Sequence, residues 1–172
     1  MRNKITILLL LFISTIFLGC DHQACLQKRT DDLIKRWHKK ADTVYLYSVD
    51  FAEFNMLWYH KDNFIRCYKI RPHRFERYKP IEMKTFIHDN DSIGNYPEVL
   101  IFEDIQCFDI SSDGPWLKIY IKDKAPLFTG IDMECLFNTK YEPNSFPYKL
   151  QYDLFKLGLS PEDFEFEKMY DE

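Results

Sequence analysis

The sequence predicts an α+β fold: an N-terminal amphipathic helix, a curved antiparallel β-sheet, and one or two C-terminal helices. Three observations carry this reading. Leu26, Leu33, Ile34, Trp37 and Ala41 recur at helical spacing. Residues 116–122 alternate strictly, with Leu117, Ile119 and Ile121 on one side and Trp116, Lys118, Tyr120 and Lys122 on the other. Leu150, Leu154 and Leu157 then form a second helical stripe. A 3.6-residue apolar period marks a helix packed by one side, and a period of two marks a strand buried on one face. Helix, then strands, then helices is the order of a segregated α+β chain, with the helices expected on one face of the sheet.

The first helix is expected to start at Thr30, a capping residue with Asp31 and Asp32 in the positive first turn, and to end near Ala41. Asp31–Lys35 and Asp32–Arg36 are i,i+4 pairs in the favourable order. Residues 43–50 are β-branched and aromatic, which suits a strand. Residues 54–60 and 64–70 flank Lys61-Asp62-Asn63, a hairpin turn. Residues 83–88 read as a short strand, 89–97 as a loop, and 99–110 as a bent strand. Residues 127–138 alternate too, placing Ile131, Met133, Cys135 and Phe137 on one strand face. Helical periodicity returns over residues 147–157, with Gly158 as its stop. Ser160, Pro161 and Asp163 open a last short helix.

Before the domain lies a different kind of sequence. Arg2 and Lys4 precede the apolar run Ile5 to Leu18, which is shorter than the about 20 residues a bilayer crossing takes. A basic start, a short apolar stretch and a small residue describe an export signal. Leu18-Gly19-Cys20 closes it, preceded by Phe17 where Leu is usual. This segment resembles the lipobox of bacterial lipoproteins. The resemblance implies cleavage after Gly19 and a diacylglycerol on the Cys20 thiol, followed by acylation of the new amino terminus. Several acyl chains anchor a protein stably where one does not. The resemblance covers the first twenty residues only. The organisation expected is a signal peptide over 1–19, a lipidated Cys20 and polar tether over 20–29, and one α+β domain over 30–172. Asp21 follows the anchor and leaves inner and outer membrane open.

The full chain carries net charge −4; removal of residues 1–19 takes away Arg2 and Lys4 and no acid, giving −6. Aromatic residues reach 17% and glycines number only 5, which excludes a disordered or low-complexity chain. Beyond Cys20 stand Cys25, Cys67, Cys107 and Cys135. Four cysteines in an exported chain permit two disulfides. Cys107 and Cys135 each alternate with expected core residues and are the pair expected to bridge. The spacing matches no zinc pattern.

The sequence contains no H-E-x-x-H, G-x-S-x-G, P-loop or G-x-G-x-x-G. No catalytic residue, cofactor or metal ligand is therefore expected. Asp89, Asp91 and Gly94 fall at EF-hand positions, yet Ile93 and Leu100 stand where an oxygen ligand and a bidentate Glu are required. A Cys67 thiol paired with His60 or His73 is a conceivable nucleophile, with a packed strand cysteine the simpler reading. Trp116 and Tyr120 share a strand face that the C-terminal helix is expected to cover. Residues 64–84 concentrate Arg66, Lys69, Arg71, Arg74, Arg77, Lys79 and Lys84 against Glu76 and Glu82. Arg66, Arg71, Arg74, Arg77 and Lys79 form the candidate surface for an anionic partner: a lipid headgroup, an acidic glycan or a protein. Export argues against nucleic acid. The functional expectation is a membrane-anchored lipoprotein of the cell envelope acting as a non-enzymatic binding module. The alternatives are an envelope immunity or inhibitor protein against a toxin, and an extracytoplasmic hydrolase without a local motif.

Overall fold

A computed structural model describes residues 22–50, 52–82, 105–109, 114–143 and 145–165. The expected strand at 83–88, the loop at 89–97 and most of the strand at 99–110 lie outside the described residues, as do Gly19 and Cys20.

The fold is α+β, built on one antiparallel sheet. Helix α1 spans His22–Trp37 and precedes strands β1 (Thr43–Ser48), β2 (Asn55–Lys61), β3 (Phe64–Ile70), β4 (Phe75–Arg77), β5 (Ile81–Glu82), β6 (Phe108–Asp109), β7 (Trp116–Ile121) and β8 (Leu127–Ile131). Helices α2 (Met133–Asn138) and α3 (Phe146–Lys156) follow, then a 3₁₀ turn at Pro161–Phe164. The strand order is β4-β3-β2-β1-β7-β8-β6, with β5 also on the outer edge of β3. The β2–β3 hairpin turns on Asp62 and Asn63, at φ 52° and 60°. Two successive positive φ angles are what a two-residue turn needs to match strand twist, and Asp and Asn tolerate them.

Helices cover both faces of the sheet, not one. Opposed residues share a face, so the register sorts the side chains. Tyr45, Tyr47, Met56, Trp58, Ile65, Cys67, Leu117 and Ile119 face α2, α3 and the 3₁₀ turn, packing with Leu136, Leu150, Leu154 and Phe164. Val44, Leu46, Leu57, Tyr59, Tyr68 and Ile70 face α1, packing with Leu26 and Leu33. Burial on both sides explains why β2 does not alternate in exposure, being buried from Asn55 to His60.

Three elements depart from the sequence reading. First, α1 begins at His22, so residues 22–29 are helix and not tether. Thr30 is no cap: it is buried in mid-helix, where its hydroxyl donates to Leu26 O at 2.8 Å and accepts from Asn55 Nδ2 at 3.0 Å. Asp31 accepts from Gln27 at 2.9 Å, one turn earlier. Second, the alternation over 127–138 is a strand only to Ile131. Asp132 caps α2 by accepting from the Cys135 backbone N–H at 2.9 Å, and Met133, Leu136 and Phe137 are buried at helical spacing. Third, the face bearing Trp116 and Tyr120 lies on the α1 side. Tyr120 packs at the rim of the α1 core, whereas Trp116 stacks on exposed Phe128 with centroids 4.5 Å apart. Two C-terminal signals form as read: Gly158 follows α3 at φ 71°, and Ser160 and Asp163 make a capping box; the Ser145 cap that opens α3 was not anticipated.

Candidate functional site

Cys107 and Cys135 are disulfide-bonded, with Cα atoms 5.5 Å apart. The bridge joins the β6 strand entry to α2, so Cys135 meets its partner from a helix and not from a strand face. Cys25 is also disulfide-bonded. Cys67 is not: it is a free thiol, 1% exposed. Burial pushes that thiol well above its ordinary range, so it is held protonated and inert. His60 lies diagonally across the β2–β3 ladder from Cys67, but its Nε2 meets Asp153 Oδ2 at 2.5 Å, both groups being buried. A thiol–imidazole nucleophile is not assembled there.

The basic segment divides into two groups. Arg71 and Arg74 are neutralised locally. Arg71 reaches Glu76 at 3.0 Å and Glu53 at 3.6 Å, and Arg74 reaches the same Glu76 oxygen at 2.9 Å. Lys69 shares the Phe54 ring with Arg71: its Nζ sits 3.8 Å from the ring centroid, the Arg71 guanidinium 5.7 Å, and Lys69 donates to Asp163 O at 3.4 Å. One basic side chain of the segment therefore holds the acidic C-terminal turn in place. Arg66 and Arg77 belong to the α1 face, since Arg66 opposes Tyr59 and Arg77 opposes Tyr68. Arg66 donates to Lys61 O at 3.0 Å and lies over the Phe64 ring; Arg77 lies over the Tyr68 ring. Lys79 is exposed just past β4. The five sequence-predicted residues thus do not form one patch of unpaired charge.

The structure instead adds cations that the segment alone did not reveal. Helix α1 runs beside the turn from β3 to β4, closed by the Arg71 N–H bonding to Arg74 O at 2.9 Å. His22 meets His73 edge-on with ring centroids 5.2 Å apart, and Gln23 donates to Ala52 O at 3.1 Å. These contacts seat the start of α1 against the turn and leave two adjoining grooves, of about 280 and 470 Å³. Lys28, Arg29 and Arg36 line the larger one from the helix, with Asp32 as its carboxylate. Arg29 lies 4.9 Å over the ring of Phe75, which is 43% exposed. Phe75 opposes Ile70 and so shares the α1 face with Arg66 and Arg77. The result is a continuous basic band: Lys28, Arg29 and Arg36 from the helix, then Phe75, Arg77 and Arg66 from the sheet edge. A helix start at His22 would have been the signal, since Lys28, Arg29, Asp32 and Arg36 then fall along adjacent turns.

On the other face a third groove, of about 500 Å³, is lined by Asp109, Asp132, Glu134 and Glu165 over an apolar floor of Phe108, Ile131 and Phe164. Tyr47 reaches it from the sheet, its phenol pushed up by burial and by Asp132. The described residues hold no cluster of three or more His, Cys, Asp or Glu placed for a metal ion. No known protein family, characterised protein or solved structure matches this chain.

Proposed function

We propose that this chain is an exported, lipid-anchored protein of the bacterial cell envelope, working as a non-enzymatic binding module. The observation that carries the reading is the Cys107–Cys135 disulfide, because such bridges form and persist outside the reducing cytosol. It agrees in direction with Leu18-Gly19-Cys20, the segment that resembles a lipobox. A chain lipidated on Cys20 and an unlipidated mature chain differ by the mass of the acyl chains. Intact mass of protein purified from membranes separates the two. The expected result is cleavage after Gly19 with acyl chains on Cys20. Cys20→Ser should then accumulate as unprocessed precursor without acyl label. A mature mass with no lipid, or a cut elsewhere, would overturn the anchor.

The acidic groove supports a second reading, an inhibitor or immunity protein for a basic toxin. Four carboxylates over an apolar floor offer a cationic protein both steering and a place to bury an anchor residue.

A further inference from the structure

We infer that the α1 face is the membrane-facing side of the protein and docks on anionic phospholipid headgroups through the basic band. The inference rests on the anchoring proposed above and adds to it an orientation and a lipid class.

Connectivity supplies the first part. Cys20 is two residues before His22, and a chain spans at most about 3.6 Å per residue, so the anchor lies within about 7 Å of the helix start. His22 is seated against His73 in the turn that feeds Phe75. The end of the molecule nearest the bilayer is therefore the end where the grooves open.

Charge supplies the second part. The band brings Lys28, Arg29, Arg36, Arg66 and Arg77 to one face, with Asp32 the groove carboxylate among them, on a chain that is acidic in total. The carboxylates of the third groove lie across the sheet. An anionic leaflet attracts the first face and repels the second. Length decides how the helix lies. Arg36 is fourteen residues beyond His22, about 21 Å along the axis, whereas surface charge is screened beyond about 8 Å at physiological ionic strength. A helix standing upright would leave Arg36 outside the attractive layer, and a helix lying flat brings the whole band into it. Phe75, exposed and stacked under Arg29, has the amphipathic setting of an aromatic at a headgroup boundary.

Acyl chains already hold such a protein on the membrane, so the band sets orientation more than affinity. The test uses full-length protein purified from membranes and reconstituted in vesicles of phosphatidylcholine alone or of equal parts phosphatidylcholine and phosphatidylglycerol. Hydrogen–deuterium exchange is followed in α1 and in residues 71–77. Exchange there should slow several-fold in the phosphatidylglycerol vesicles only. The protection should vanish near 1 M salt, where the Debye length is about 3 Å. It should also vanish in Lys28→Glu/Arg36→Glu, two exposed positions whose reversal leaves the core untouched, as the thermal midpoint in detergent will report. Arg77→Glu, made separately on the sheet edge, should weaken it in the same way. Equal exchange in the two vesicle types, or protection that maps to the acidic groove, overturns the docking. The mass of the same sample reports the anchor independently. Lipid on Cys20 without lipid-dependent protection removes the docking alone, and salt-sensitive protection without lipid on Cys20 removes the anchor alone.

Discussion

Five tyrosines have phenols whose ionisation the folded chain opposes. Burial is the leading cause for Tyr47, Tyr59, Tyr78, Tyr120 and Tyr141, and nearby groups add to it: Asp132 for Tyr47, Tyr68 for Tyr59, Asp163 for Tyr78 and Asp31 for Tyr120. Tyr78 is pushed from the ordinary 10.0 up to about 12. A raised folded-state pKa means that the native chain holds its protons more tightly than the unfolded one. The stability Tyr78 contributes is whole below pH 10 and drains away as pH rises through about 12, and the other four phenols act in the same direction. Lys69 has the opposite sign: burial and then Arg71 lower it, so its contribution grows as pH rises. One amine does not offset five phenols. Urea midpoints should therefore be level up to pH 10 and fall beyond it. A level midpoint up to pH 12 would contradict these placements.

Between β2 and α3, a buried polar contact crosses the core. His60 comes from the end of the strand and Asp153 from the third turn of the helix, and their side chains meet at 2.5 Å behind less than a tenth exposure each. Such a pair fixes how α3 sits on the sheet more than it adds stability, because desolvation offsets much of the attraction. Removing one partner is another matter. Asp153→Ala should cost about 3 kcal/mol, since the buried imidazole loses its acceptor. The joint change His60→Phe/Asp153→Leu should cost less than the single one, as measured by urea unfolding. Equal or additive losses would show that the two groups act separately. Helix α2 needs comparable outside support. Six residues are too few for a helix to stand alone in water. Gln151 of α3 donates to Leu136 O, Phe137 O and Thr139 O at 2.7, 3.2 and 2.9 Å, taking up carbonyls that the helix end leaves open.

At the scale of the whole molecule, the Cys107–Cys135 bridge ties the entry to edge strand β6 to the helix layer across a sequence separation of 28. Closing a loop of that size in the unfolded chain corresponds to about 3.6 kcal/mol in the chain-entropy picture. Cys107→Ala/Cys135→Ala should lower the unfolding free energy by roughly that amount, with far-ultraviolet circular dichroism unchanged below the transition. A loss under about 1 kcal/mol would indicate a denatured state already compact around that loop. The same scale sets the distribution of charge. Helix and sheet edge together place the cations on one face, and the β6, β8 and α2 junction places carboxylates on the other. Neither face is a contiguous stretch of chain.

Whatever depends on a few neighbouring residues was legible in the sequence. The Asp62-Asn63 turn, the Gly158 stop, the Ser160–Asp163 box and the alternation of β7 all follow from local backbone and capping preferences. The α+β class followed from the order of two periodicities. Tertiary structure decided the rest. Thr30 looked like a cap because its side chain can serve as one, until Asn55 from a distant strand gave it a buried partner. Residues 133–138 read as strand because six residues carry too little period to separate two templates, and the Asp132 cap was the signal passed over. That α1 takes one face of the sheet and the C-terminal helices the other is set by long-range register and packing, which no local window contains. For the same reason the candidate surface differed from the basic segment: Glu53 and Glu76 occupy Arg71 and Arg74, while Lys28, Arg29 and Arg36 reach the site from a helix more than thirty residues away in sequence from Arg77.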